Sequence, residues 1–493
     1  MKVGIVKTKS YYPTTPPFHP DTVYPEYPFS DKNISKTKNP VYEAVRKSLF
    51  LIGLDKQNYD TAAWNPFRDL VKPGSRVIIK PNFVNHYNPV SDERAYFEAL
   101  VTQAAVIRPV IDYVMLAAKS EISLIITDLP IQLADFEIIS RKTGLDQVIE
   151  FVQDKMEGKG SIELADLRDY RLKIDSSGAI LSREEQPGDP KGYVIVDMGE
   201  NSNLVPLDKD AHLYRSPDYD SSVTVKAHTN GHHQYCFPKS VLNSDLFINI
   251  PKIKVHRKSG ITGCLKNIVG VAGDKQYLPH WRAGTPETNG DEQPIATVIN
   301  SLRGRYSFAM RSLGTVGWRL VHPIGRLMVR FNKKIHKSQS LVNILSGDWY
   351  GNDTVWRMVH DLNCILLYAD SDGLLHEKPQ RKFLNIIDGI IAGECEGPLR
   401  PQPVPAGLIV TGFDPVSVDV CCAQLMDLDW RKIPQYAKYN VHQKYAFSSF
   451  NGDPQQIEVI QSENGLTSNG SLNQILPTHH FEPTEGWKGH IEL

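Results

Sequence analysis

Short apolar runs alternate with longer stretches of helical period along most of this chain. MKVGIVK reads as a first strand, and Tyr42, Val45, Leu49 and Ile52 then recur at helical spacing, with Gly53 placed to close the helix. SRVIIKPNF predicts a buried strand over Arg76 to Ile79 that ends at Lys80, where Pro81 removes a backbone donor. Residues 95–119 predict a helix, SLIITD a strand ending at Asp128, and residues 132–153 another helix. Strands separated by helices of this length are βαβ units. The expected fold is therefore α/β: mostly parallel sheet covered by helices, in Rossmann-like lobes with an irregular inserted segment.

The pattern breaks in four places. Tyr11 to Phe29 carries Pro13, Pro16, Pro17, Pro20, Pro25 and Pro28, which predicts an extended surface arm. Residues 154–220 are rich in Asp, Gly, Ser and Pro and predict an irregular insertion, with strands at 170–175 and 193–198. Order returns at DLFINIPKIK, with a helix starting near Thr262, and later in the strands FLNIID, ending at Asp388, and GLIVTGFD, reaching Asp414. Residues 293–347 contain no Asp or Glu and predict a basic helical insertion; after about 451 the chain is rich in Asn, Gly and Ser. Three parts follow: residues 1–75 as strand, arm and helix packing on the core, 76–430 as the α/β core, and 431–493 as a loosely packed tail.

At 493 residues and 41% hydrophobic content the chain can bury a large core, and a net charge of −1 gives no overall pull toward nucleic acid or acidic membranes. Recognition of a charged partner must then be local. No apolar run is long enough for a spanning helix, and MKVGIVKTKS lacks the apolar core of a signal peptide. The six cysteines show no CxxC spacing, which points to reduced, buried thiols and a cytoplasmic location.

Ligands of open parallel sheets bind at the carboxyl ends of the strands. The predicted strands deliver Lys80 and Asn82, Asp128, Lys254 and His256, Asp388, and Asp414 there. The densest cluster is PKIKVHRKSGITGCLKN, with Lys252, Lys254, His256, Arg257, Lys258 and Lys266 and no acid between Asp245 and Asp274. Its plan is strand, loop with Gly260 and Gly263, then a helix capped by Thr262, whose free N–H groups and partial positive charge favour an anion. Lys266 and Asn267 would sit one turn in and reach back to a phosphate or carboxylate. The order of Gly and Lys is not that of a Walker A loop.

A second cluster, IIDGIIAGECEGP, places Asp388, Glu394 and Glu396 among glycines. With Asp128, the carboxylates of Asp388 and Glu394 could hold a divalent metal beside a bound phosphate, or could orient a lysine or move a proton. His228, His232 and His233 lack the helical spacing of a zinc site, which favours hydrogen bonding or proton transfer. The basic and aromatic stretch from Arg303 to Lys337 fits a peripheral membrane contact, an oligomer contact, or a solvated helical insertion.

VIIKPNFV (77–84), FINIPKIKVH (247–256), GITGCLKNIVGV (260–271), IIDGIIAGECEGP (386–398) and GFDPVSVDVCCAQLMDLD (412–429) together resemble the family called domain of unknown function 362. WNPF (64–67) and GDWYGNDTVWRMVHDLN (347–363) resemble a long subgroup of it. The resemblance implies that Lys80, Asn82, Lys254, His256, Thr262, Lys266, Asn267, Asp388, Glu394, Asp414 and Asp419 are motif positions. Many relatives carry a ferredoxin-like cysteine run that binds iron–sulfur clusters. This chain has none, which argues against a cluster and a redox role. The family also bears a distant likeness to the lactate racemase group, whose members move a proton with paired basic residues and a nickel cofactor.

Three functions are compatible with these readings. The first is an enzyme acting on a small phosphorylated or carboxylated substrate. In it Lys80, Asn82, Gly260, Thr262, Gly263 and Asn267 bind the anion, while His256, Lys254, Lys266 and Asp388 carry acid/base chemistry. The second is proton transfer at carbon next to a carboxylate, with His256 and a lysine as opposing bases. The third is a non-catalytic assembly protein docking through residues 303–337.

Overall fold

The computed structural model describes residues 1–29, 33–174, 180–217, 220–293 and 346–493. The basic stretch from Arg303 to Lys337 lies outside these residues. A 12-stranded mixed sheet organises the described chain. Its strands are β1 (Lys2–Lys7), β2 (Arg76–Pro81), β3 (Ser123–Asp128), β4 (Ser161–Asp166), β5 (Leu246–Ile250), β6 (Lys252–His256), β7 (Gly260–Thr262), β8 (Lys382–Glu396), β9 (Arg400–Val404), β10 (Leu408–Gly412), β11 (Glu458–Glu463) and β12 (Leu466–Ser471). The order is β12-β11-β1-β10-β8-β5-β2-β3-β4, with β6 and β9 beside β8 and β7 beside β6. From β8 to β4 all neighbours are parallel. Beyond β8 the sheet turns mixed, because β10 runs antiparallel to both β8 and β1.

The strands of the parallel block are apolar on both faces, as helices on both sides require. Ile78, Phe247 and Ile387 enter one buried cluster, while Val77, Ile79, Leu246, Ile248 and Ile386 enter the other. Helix α1 (Pro40–Leu51) begins where Asn39 accepts a hydrogen bond from the Tyr42 N–H (3.2 Å) and ends as Gly53 turns left-handed at φ 95°.

The helix expected over 95–119 is two, α2 (Arg94–Leu100) and α3 (Ala104–Ala118). Thr102 Oγ1 donates to the Ile250 carbonyl (2.7 Å) and accepts from the Asn82 N–H (2.9 Å), and the Gln103 N–H donates to Asp388 (3.0 Å). These bonds draw the chain into the sheet edge and interrupt the helical ladder. The helix expected over 132–153 is likewise split, at Gly144 (φ 75°), into α4 (Phe136–Thr143) and α5 (Leu145–Met156). Among the described residues no single helix is long and apolar enough to cross a membrane; α2 and α3 together pass on composition, and α3 is buried along nearly its whole length.

Two segments differ from expectation. The C-terminal stretch is not loosely packed: β11 pairs with β1, and Ile457, Val459, Phe481, Trp487 and Ile491 are buried. Polar composition hid this because an edge hairpin shows only alternate residues to the core. The proline-rich arm is irregular, yet Tyr12, Phe18 and Tyr24 are buried rather than lying on the surface.

Candidate functional site

Because β3 lies next to β2, their carboxyl ends bring Lys80 and Asp128 together at 2.8 Å. Lys80 Nζ also donates to the Pro81 carbonyl (2.7 Å) and to Asn267 Oδ1 (3.0 Å), and Asp128 Oδ2 accepts from the Phe83 N–H (2.5 Å). Gly270 packs on this pair so closely that a Cβ there would collide with both Asp128 and Lys80. Asn267 continues the network: its Oδ1 accepts from Asn82 Nδ2 (3.0 Å) and its Nδ2 donates to Asn249 Oδ1 (2.8 Å). A buried charge pair satisfied in this way is a fixed floor, not a free carboxylate.

Above this floor opens a cavity of about 550 Å³ whose polar lining includes Asn82, His256, Lys258, Thr262, Lys266, Asn267, Lys275 and His280. Its lysines differ in how they are satisfied. Lys258 pairs with Asp348 (2.7 Å), and Lys275 donates to the carbonyls of Leu129 and Pro130. Lys266, 9% exposed, makes no ion pair or hydrogen bond among the described residues. Burial, then repulsion from Lys258 and Lys80, brings its ammonium down from 10.5 to about 7. Burial, with repulsion from Arg168 outweighed only in part by Asp128, does the same to Lys275, also to about 7.

Two imidazoles line the same cavity with opposite tautomers. The Lys258 backbone N–H donates to Nδ1 of His256 (3.0 Å), which leaves a neutral ring carrying its proton on Nε2. His280 Nδ1 donates to the Leu278 carbonyl (2.9 Å), which leaves its Nε2 as an acceptor. Both rings stay neutral near pH 7: burial and the adjacent Lys266 hold His256 well below its ordinary value and His280 at about 3. One ring can therefore donate and the other accept. Thr262 Oγ1 and Asn82 Oδ1 are buried without hydrogen-bond partners among the described residues, and both residues line the cavity.

Of the residues singled out in sequence, Asn82, Asp128, His256, Thr262, Lys266 and Asn267 come together at the cavity, with Lys80 directly behind Asp128. Arg257 and Lys258 line it as well, and the remaining candidates do not. Lys254 is buried and donates to the Leu100 carbonyl (2.5 Å). Asp388 is not at a strand end, since β8 runs on for 15 residues to Glu396. It is enclosed by Lys252 (2.7 Å), the Tyr12 hydroxyl (2.6 Å) and the Gln103 N–H (3.0 Å). Glu394 lies further along the same strand and accepts from the Glu482 N–H (2.9 Å). The metal set of Asp388, Glu394 and Asp128 is thereby corrected: each carboxylate is engaged elsewhere, and no group of three His, Cys, Asp or Glu among the described residues could hold an ion.

The anion site expected at the start of a helix near Thr262 is also corrected. That helix is a single turn, Cys264–Asn267, and Asp419 occupies its start, accepting from the N–H groups of Cys264 (2.5 Å) and Leu265 (3.1 Å). Gly263 is there because a Cβ would strike the Asp419 carboxylate, and Gly260 because its φ is 79° beside Trp487. Both glycines serve packing. None of His228, His232 and His233 lines the cavity: His228 Nε2 donates to the Tyr277 carbonyl, His232 Nδ1 donates to Asp197, and His233 Nε2 lies 3.0 Å from the Asp208 carboxylate. His280 and Lys275 escaped sequence reading, since neither stands at a strand end or in a recognisable spacing; turns following Asp274 carry them back over the floor.

Residues 200–424 match the model of a family described as "Domain of unknown function (DUF362)". A crystal structure of a protein from Thermotoga maritima aligns with 77% of this chain at 9% identity and a TM-score of 0.29. The alignment spans only about half, 54%, of that protein. No curated protein matches the chain.

Proposed function

Residues 200–424 belong to the DUF362 family, and from that premise we propose that the chain is an enzyme acting on a small anionic substrate, phosphorylated or carboxylated, held in the cavity over the Lys80–Asp128 floor. The observation that carries this reading is Lys266: a buried ammonium with no counter-charge among the described residues. A buried cation without an anion is costly, and a bound phosphate or carboxylate would remove that cost. Two further charges in the cavity are already paired, Lys258 with Asp348 and Asp128 with Lys80, which leaves Lys266 to meet the anion. Thr262 Oγ1 can donate to the same anion, and Asn82 Oδ1 can accept from a substrate hydroxyl.

The histidines orient the substrate. His256 Nε2–H donates a hydrogen bond that polarises a substrate oxygen and His280 Nε2 accepts one from a substrate hydroxyl, with tautomers set by the Lys258 N–H and the Leu278 carbonyl. The test is titration of the protein with inorganic phosphate and with malonate, followed calorimetrically, beside Lys266→Met and His280→Gln. Removing one partner of a desolvated charge contact costs about 2–5 kcal/mol, so Lys266→Met should weaken binding at least roughly 30-fold. His280→Gln should leave binding within a few fold. Unaltered affinity in Lys266→Met would refute the site.

The lowered lysine favours one more specific reading, proton transfer at carbon next to a carboxylate, with Lys266, brought down to about 7, taking the proton on one side. It predicts solvent deuterium in recovered substrate; no exchange by a turning-over enzyme would dismiss it. Docking through residues 303–337 concerns residues outside those described, and no structural observation bears on it.

A further inference from the structure

A phosphate or carboxylate fills only a small part of this cavity. At about 30 Å³ per water in the liquid, its volume of about 550 Å³ corresponds to roughly eighteen waters, and it lies within the range of pockets for drug-sized ligands. The composition of the remaining wall is distinctive. Val84, Ile131, Leu133, Leu172, Pro398 and Leu399 line it, drawn from four separate stretches of chain: the loop after β2, the loop after β3, the hairpin Tyr170–Ile174/Ile180–Glu185, and the β8–β9 turn. All six are partly exposed, Leu133 by 37%. The Leu172 N–H donates to the Gln132 carbonyl (2.8 Å), which fixes Leu172 beside Ile131 and Leu133. Isolated exposed apolar side chains are ordinary, but six converging on one opening that also holds Lys266 are not.

Building on the anion site proposed above, we infer that its substrate is an amphiphile: a single phosphate or carboxylate head on Lys266, carrying an apolar body that lies along the Val84, Leu133, Leu172 and Leu399 wall. Charge selects the head. Contact with the wall then supplies binding energy remote from the reacting atoms, which can be used to hold the head against His256 and His280. Apolar burial contributes about 0.8 kcal/mol per methylene, which is about a fourfold change in affinity.

The test is a homologous series titrated calorimetrically into the full chain at one pH: inorganic phosphate, then ethyl, butyl and hexyl phosphate, each below its aggregation concentration. A parallel series of acetate, butanoate and hexanoate separates a phosphate head from a carboxylate head. The expected result is a rise of about threefold to fourfold per methylene in one series. Leu172→Asn and Leu133→Asn, which remove apolar wall without adding charge, should flatten that rise and leave the affinity for the smallest member within a few fold. Binding of inorganic phosphate or acetate with no dependence on chain length would overturn the amphiphile inference and leave the anion site standing. No binding by any member of either series would remove both.

Discussion

Replacing Lys266 with methionine should stabilise the protein while weakening its affinity for anions by at least roughly 30-fold. The wild-type ammonium titrates at about 7 instead of 10.5, because it is buried beside Lys258 and Lys80. At about 1.4 kcal/mol per tenfold change, protonating it in the folded chain is disfavoured by on the order of 5 kcal/mol. Water in the open cavity and movement of the flexible stem absorb part of that, so a gain of about 1–3 kcal/mol is expected from an uncharged chain of similar length. The gain has a defined pH dependence. Below about pH 7 the lysine is protonated in both states and the folded state bears the whole cost. From pH 7 toward 10.5 the folded state has released the proton while the unfolded state keeps it, so wild-type stability recovers and the advantage of methionine shrinks. Urea unfolding at pH 6 and pH 9 measures it: the variant should exceed wild type clearly at pH 6 and much less at pH 9, with unchanged m-values. Phosphate should raise the wild-type midpoint and leave that of the variant where it is. A methionine variant less stable than wild type at pH 6, or a gain equal at both pH values, would mean that Lys266 is already compensated and would refute the reasoning.

Asp128→Asn leaves Lys80 buried without a counter-charge, so a loss of about 3–5 kcal/mol in chemical unfolding is expected, and adding Lys80→Met to it should restore most of that. Gly270→Ala puts a methyl into the Lys80–Asp128 pair and should cost about 1–3 kcal/mol by the same measurement, whereas Gly452→Ala, where the space is open, should show only the strain of its positive φ. Tyr12→Phe deletes the hydroxyl that links Lys252 (2.6 Å) and Asp388 (2.6 Å); a loss of about 1.5–3 kcal/mol and faster proteolysis within the arm should follow, with anion affinity unchanged. Anion binding at pH 8 should take up a proton, because a bound anion raises the Lys266 value from about 7; calorimetry in two buffers of different ionisation enthalpy reads the uptake directly.

The local signals were legible because they are local. Apolar runs ended by Pro81 and by Asp128 mark strands β2 and β3, and helical spacing marks α1, whatever the rest of the chain does. The parallel α/β class follows from their alternation. So did most of the candidate site: Lys80, Asn82, Asp128, His256, Thr262, Lys266 and Asn267 meet because ligand-bearing loops of such sheets share one rim. Which charge meets which was decided by strand order, a long-range property that no window of sequence carries. Asp128 neutralises Lys80 because β3 is the neighbour of β2. Asp388 does not reach the cavity because β6 runs beside β8 after Pro251 and lets that strand continue, which encloses the carboxylate with Lys252. Asp419, 155 residues from Cys264, takes the helix start that looked open to a ligand. His280 and Lys275 enter through irregular turns, where period and spacing carry no information. Burial then set the chemistry: folding places Lys266 beside Lys258 and Lys80 and, among the described residues, brings it no carboxylate, which carries its value from 10.5 down to about 7.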